Sequence, residues 1–187
     1  MDRFQSKYFK VLPKKSEILS LLYKLEIGKI KNIFLFEYSS CSAVFCVEVL
    51  DQNSKEKKIV IRGEQQNGNN QQPVTIYSLE KEILVYKQML KLGLGVPQVL
   101  FNSKIFSVPG YDQVEKKAKD FNFYLMSYVE GIAVDKKIKE ANDEDKLHWL
   151  NKISKIMVKV HSVKGQEYGF IDQYKKTSFQ TDSIDGF

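Results

Sequence analysis

Arginine is scarce in this chain: of its 29 basic residues only Arg3 and Arg62 are arginine, and all the others are lysine. Arg62 closes the run "KKIVIR" at residues 57–62, which reads as a buried strand and then sets a guanidinium where the pattern asks for another inward-facing residue. A second charge interrupts an apolar stripe further on. Glu82 lies three residues after Leu79 and four before Tyr86, so on a helix it shares their face. A carboxylate set against a core costs several kcal/mol unless a cation reaches it. The forked, permanently charged group of Arg62 suits that task, and it can pair bidentately with a carboxylate or a phosphate. The two side chains are therefore expected to meet. At the least, such a pair would tie a strand to a helix.

Other reactive residue types offer less. Cys41 and Cys46 lie five apart with no second pair, and only His148 and His161 could join them, a spacing unlike a zinc site. Structural thiols in a reducing compartment are expected, and no metal site. The net charge of +6 raises the question of a nucleic-acid partner. The lysines, however, are dispersed: Lys116-Lys117 and Lys136-Lys137 have Glu115, Asp120, Asp135 and Glu140 for neighbours. Arginine, the favoured reader of guanine edges, is nearly absent, so a solvated lysine-rich surface is the expectation and nucleic acid is not an expected partner. No apolar run approaches the roughly 20 residues that span a bilayer, and "MDRFQSKYFK" lacks the hydrophobic segment of a signal peptide. A cytoplasmic protein without membrane contact is expected. At 187 residues, 43% hydrophobic and 12% aromatic, the chain can bury one core, or one and a piece.

The elements that must position these residues can be read in order. Ser16 can cap a helix carrying Ile18, Leu22 and Leu25, with Gly28 as its stop. Three strand-like stretches follow, "NIFLFEY", "AVFCVEVL" and "KKIVIR", the last two joined by the turn "DQNSKEK". The polar stretch 64–73 has nothing to bury and reads as a flexible loop. Ser78 opens the clearest helix, with Leu79, Ile83, Tyr86 and Leu90 on one stripe and Gly93 at its end. "VPQVLFNSKIFSV" reads as a fourth strand, "PGYDQVEKKAKD" as a charged connecting loop, and "FNFYLMSYV" as a fifth strand broken by Glu130-Gly131. Asn142 can cap a last helix whose Leu147, Leu150, Ile153, Met157 and Val160 face inward until it ends near His161. The tail from Gly165 to Phe187 is loop-like. The fold class is α+β: a five-stranded antiparallel sheet with the Glu82 helix packed on it, then a helical part. The expected division is 1–130 and 131–187.

This order resembles the smaller lobe and lobe connection of the aminoglycoside phosphotransferase family, small-molecule kinases of protein-kinase-like fold. "KIVIRGE" is similar to the strand whose basic residue contacts ATP phosphates, usually a lysine in the family. "LEKEILVYKQMLKLGLGVPQVL" is similar to its glutamate helix and Pro-Val exit, with fifteen residues from Glu82 to Pro97. "FYLMSYVEG" resembles the strand and hinge that hold adenine, and "ISKIMVKVHSV" the helix ending in Leu-His or similar. The resemblance runs from about Asn32 to Asp172.

The resemblance implies that Arg62 contacts ATP phosphates with its rotamer fixed by Glu82. It places Met126 behind the adenine and Val60 in its roof, with the main chain of Ser127 and Val129 offering a carbonyl and an amide. As an alternative, Met126 and Val60 are ordinary core residues. "YSSCS" occupies the place of the phosphate-covering loop, which makes Ser40 and Ser42 candidates beside the reading of a plain hairpin turn, since glycine is lacking. His161 matches a structural histidine. The family's His-Gly-Asp catalytic loop and magnesium-binding aspartate are not found in the sequence, and Asp172, Asp182 and Asp185 lack that context. The catalytic loop and magnesium ligands are expected beyond Phe187, so no catalytic residue is assigned and this chain alone is expected to be inactive. The implied function is the ATP-binding part of a kinase that transfers the γ-phosphate to a small-molecule hydroxyl, with ATP and magnesium as cofactors. The alternative is a non-catalytic nucleotide-binding or protein-interaction module. The resemblance covers the last helix with later segments, so self-association through that helix is expected of this chain.

Overall fold

The computed structural model describes residues 4, 9, 11–36, 42–65, 78–132, 134–164 and 180–181. The chain divides into two compact units, one of Met1–Tyr86 and Pro97–Tyr128, the other of Lys87–Val96 and Val129–Phe187.

The first unit is built on a six-stranded antiparallel sheet, so the architecture is α+β with one strand more than the sequence suggests. In chain order the elements are β1 (Val11–Pro13), α1 (Lys15–Lys24), β2 (Lys29–Phe36), β3 (Ser42–Leu50), β4 (Glu56–Gln65), α2 (Leu79–Lys91), β5 (Phe106–Asp112) and β6 (Lys117–Ser127). The strands lie in the order β1-β5-β6-β4-β3-β2. The added strand, β1, is three residues long and pairs with the end of β5 through Val11↔Asp112, Leu12↔Tyr111 and Pro13↔Gly110. Nothing local marks it as a strand; its partner decides it.

Both faces of the sheet are covered, which is why β4 is a continuous apolar run rather than an alternating one. On one face Phe45, Val47, Ile61, Phe121, Phe123 and Leu125 form the larger core with Ile18 and Leu22 of α1. On the other, Val60, Tyr124 and Met126 pack with Leu79 and Ile83 of α2. The neighbours Val60 and Ile61, like Tyr124 and Leu125, belong to opposite clusters, as the two-residue period of a strand requires.

The β3–β4 hairpin turns where "DQNSKEK" predicts. Asp51 builds it: its carboxylate accepts from the amides of Asn53 and Lys55 at 2.9 Å each and takes an ion pair from Lys57 at 3.0 Å. Downstream the expectation needs correcting. Val99 makes only an isolated bridge to Met126, a single 3-10 turn follows at Phe101–Ser103, and the strand proper starts at Phe106. It then runs through Pro109 and Gly110, residues expected in a connecting loop, and pairs with β6 from Phe106↔Phe123 to Asp112↔Lys117. The buried Asp112 explains the hairpin, because one carboxylate oxygen accepts from the amides of Val114 and Glu115 at 2.9 Å each.

Two helix signals also differ. Ser16 is not the cap of α1; Lys14 holds that position without a side-chain cap, and the helix is held by Ile18 and Leu22 in the core. Gly28 serves β2 rather than ending α1: at φ +117° its backbone runs so close to β3 that a Cβ would lie 2.3 Å from the Leu50 carbonyl oxygen. Gly63, next to Arg62, is equally confined, since a Cβ there would lie 2.4 Å from the Phe121 ring and 2.9 Å from the Ala43 carbonyl oxygen. Gly63→Ala should therefore displace Phe121 and lower stability by about 1–3 kcal/mol, the usual cost of overpacking. Urea unfolding would read this, and an unchanged midpoint would mean that the sheet gives way locally.

The second unit contains α3 (Val134–Glu140), α4 (Asp143–His161) and a two-residue pair of β7 (Val163–Lys164) with β8 (Gln180–Thr181). The short α3 is not foreseen from the sequence. Asn142 caps α4 as expected, its side chain accepting from the Asp145 amide at 2.8 Å. The inward stripe is a correction, for α4 has no buried residue and Leu147, Leu150 and Met157 are exposed. Periodicity sets apolar residues on one face but does not supply what covers that face.

Candidate functional site

Ser78 fixes the start of α2: its hydroxyl accepts from the Lys81 amide at 3.3 Å, and its carbonyl accepts from the Glu82 amide at 3.1 Å. Leu79 and Ile83 are then drawn into the core, which turns Glu82, between them, toward the sheet. On β4 the pairing Val44↔Arg62↔Tyr124 places Arg62 in the middle of three strands, on the face that α2 covers.

Arg62 and Glu82 meet directly. Arg62 Nε donates to Glu82 Oε1 at 3.1 Å, with a longer contact to Oε2 at 3.4 Å, and Nη2 donates to Oε1 at 3.0 Å. The pair is about three-quarters buried, with side-chain exposures of 24% and 26%. Burial works against the Arg62 charge, but the hydrogen bond and charge of Glu82 outweigh it and raise the guanidinium pKa further. Arg62 is thus a fixed cation. A guanidinium has five N–H donors, so the two directed at Glu82 leave three that no described residue takes.

Two tyrosines flank the pair. Tyr124 is fully buried, and its hydroxyl pKa is raised by burial first and then by the negative charge of Glu82. Its contact with Glu82 is weak, and among the described residues the hydroxyl makes no hydrogen bond of ordinary geometry. Tyr86 is half-buried, with its pKa raised by the same two causes in the same order. Neither residue stands among the site residues expected from the sequence. The signal for Tyr124 was nonetheless present: it lies two residues before Met126, so a strand puts both on one face.

Val60 and Met126 are buried beside the pair in the core under α2. Ser127 is engaged with Gln98: its amide donates to the Gln98 carbonyl at 2.8 Å, and its hydroxyl accepts from the Gln98 amide at 2.9 Å. Its amide is therefore committed, and its carbonyl is the main-chain group it can offer a ligand. Val129, in the second unit, is half exposed. Ser42 is buried at the start of β3, paired with Gln65, whereas Ser40 lies outside the described residues. So do most of the polar stretch 64–73, Cys41, and Asp172, Asp182 and Asp185. Cys46 is a buried free thiol whose pKa burial pushes up. His161 ends α4, exposed.

Arg62 and Glu82 are thus brought together, with Val60 and Met126 beside them. A recess of about 210 Å³ elsewhere in the first unit is lined by Leu12, Lys14, Tyr111 and Lys116 among others, and by none of these residues. Among the described residues no group of three or more His, Cys, Asp or Glu side chains could hold a metal ion, and no helix is long and apolar enough to cross a membrane. Chemically, a cation oriented by a carboxylate and with N–H donors left over could accept an anion as well as tie β4 to α2. Comparison with family models, with curated proteins and with solved structures gave no match for this chain.

Proposed function

We propose that this chain carries the ATP-binding lobe of a small-molecule kinase of protein-kinase-like fold, similar to the aminoglycoside phosphotransferases. In this reading Arg62 holds the ATP phosphates and Glu82 fixes its rotamer. One observation carries it: the ion pair between the basic residue of β4 and the glutamate of the following helix, two guanidinium donors on one carboxylate oxygen at 3.0–3.1 Å. Protein kinases require the same pairing, with lysine on the strand, for phosphoryl transfer. Val60 and Met126 flank the adenine, and the Ser127 carbonyl and Val129 amide read its edge. Magnesium accompanies the ATP in this reading, and the hydroxyl acceptor is a small molecule. A cytoplasmic setting suits an ATP-dependent enzyme.

A second reading, a non-catalytic nucleotide-binding or protein-interaction module, is favoured by the exposed apolar residues of α4. In both readings the nucleotide binds weakly, because the resemblance gives half of the cleft and the metal ligands to other segments. A dissociation constant of about 1 mM, or about −4 kcal/mol, is expected. Chemical-shift titration with ATP tests this: the amides of Arg62 and of Ser127 to Val129 should move together. Shifts confined to scattered surface lysines would indicate charge attraction only and would count against the reading.

A further inference from the structure

We propose that Tyr124 is a positioning residue for the Arg62–Glu82 pair, its buried hydroxyl serving as the second donor for Glu82 when a bound phosphate draws the guanidinium toward itself. The inference rests on the phosphate-holding reading of Arg62 above. Its geometry is independent of that reading. Tyr124 is the cross-strand neighbour of Arg62, so both side chains rise from the same face of the sheet toward α2.

The pair as it stands is lopsided. Both guanidinium donors converge on Glu82 Oε1, at 3.0 and 3.1 Å, while Oε2 receives only the 3.4 Å contact from Nε. Near the same carboxylate lies a weakly used donor, the Tyr124 hydroxyl, fully buried, with no hydrogen bond of ordinary geometry among the described residues and only a weak contact to Glu82. The influence of the Glu82 charge on the Tyr124 hydroxyl places the two groups near each other. Packing does not account for the oxygen. Phenylalanine fills the inward positions of the same strand at Phe121 and Phe123, and it would fill this one without burying a poorly paired O–H.

The oxygen is accounted for if the pair has two states. In one, Glu82 takes both donors from Arg62. In the other, the guanidinium turns some of its N–H groups to a phosphate, Glu82 keeps one bond to Arg62, and its weak contact with Tyr124 tightens into a full hydrogen bond. No proton changes hands; the phenol stays neutral and donates a hydrogen bond. The carboxylate is then never left buried and under-paired when ligand binds, and α2 keeps its place against the sheet.

The test compares wild type with Tyr124→Phe, using ATP as the probe and two readouts: amide chemical shifts for affinity, and the Cζ resonance of ¹³C-labelled tyrosine for the hydroxyl. Tyr124→Phe should unfold at the same urea concentration as wild type or a higher one, and should bind ATP about five- to tenfold more weakly. In wild type, ATP should move the Tyr124 Cζ resonance as its hydroxyl forms a full hydrogen bond. Equal ATP affinity in the two proteins, or a Tyr124 resonance that ATP leaves in place, overturns the role given to Tyr124 while the nucleotide reading stands. A wild-type protein that binds no ATP overturns both.

Discussion

Replacing Arg62 with alanine should lower stability by about 2 kcal/mol, at the low end for removal of one partner from a buried pair because both side chains keep some access to water. The loss comes chiefly from Glu82, left against Leu79, Ile83 and Tyr124 without its cation. The double variant Arg62→Met/Glu82→Leu should recover most of this, since two apolar side chains of similar volume need no partner there. Urea unfolding of the three proteins forms the comparison. If Arg62→Ala unfolds like wild type, Glu82 has swung into water and the pair contributes little to holding α2.

The second large effect is expected in α4. A helix of 19 residues with none buried has little tertiary packing to hold it, and in proteins most helical stability comes from packing an amphipathic face. Its amides should therefore exchange with solvent at least about 100-fold faster than those of Val60 and Ile61 in β4, a difference of roughly 3 kcal/mol in local opening. Hydrogen exchange on a demonstrated monomer measures it. Equal protection would mean that α4 is held within this chain. Protection that rises with protein concentration would point instead to self-association through Leu147, Leu150 and Met157, the partner proposed for that face.

The sequence made the ion pair legible for a compositional reason and a positional one. Arginine is so rare here that Arg62 stood out, and Glu82 could not sit between Leu79 and Tyr86 without a cation. The turn at Asp51 and the caps at Ser78 and Asn142 were readable because each is settled by a few neighbouring residues. What was not readable depended on distant partners. Val11–Pro13 is a strand only because β5 lies beside it, and the Pro109-Gly110 segment is strand rather than loop because Asp112 closes a tight turn beyond it. Tyr124 passed as one more core aromatic, since nothing in "FNFYLMSYV" says which polar group its hydroxyl faces. The stripe on α4 was visible, but its exposure is a property of what surrounds the helix.

The claim that Arg62 and Glu82 form a ligand site, beyond tying β4 to α2, is tested most directly by the ATP affinity of the Arg62→Met/Glu82→Leu protein. That variant keeps the strand-to-helix packing and removes only the charges, so fold and binding are read separately. The account predicts a protein as stable as wild type to within about 1 kcal/mol whose ATP-induced shifts at Ser127 to Val129 are weakened at least about tenfold. ATP binding equal to wild type in that folded variant would contradict it and leave the pair a structural tie.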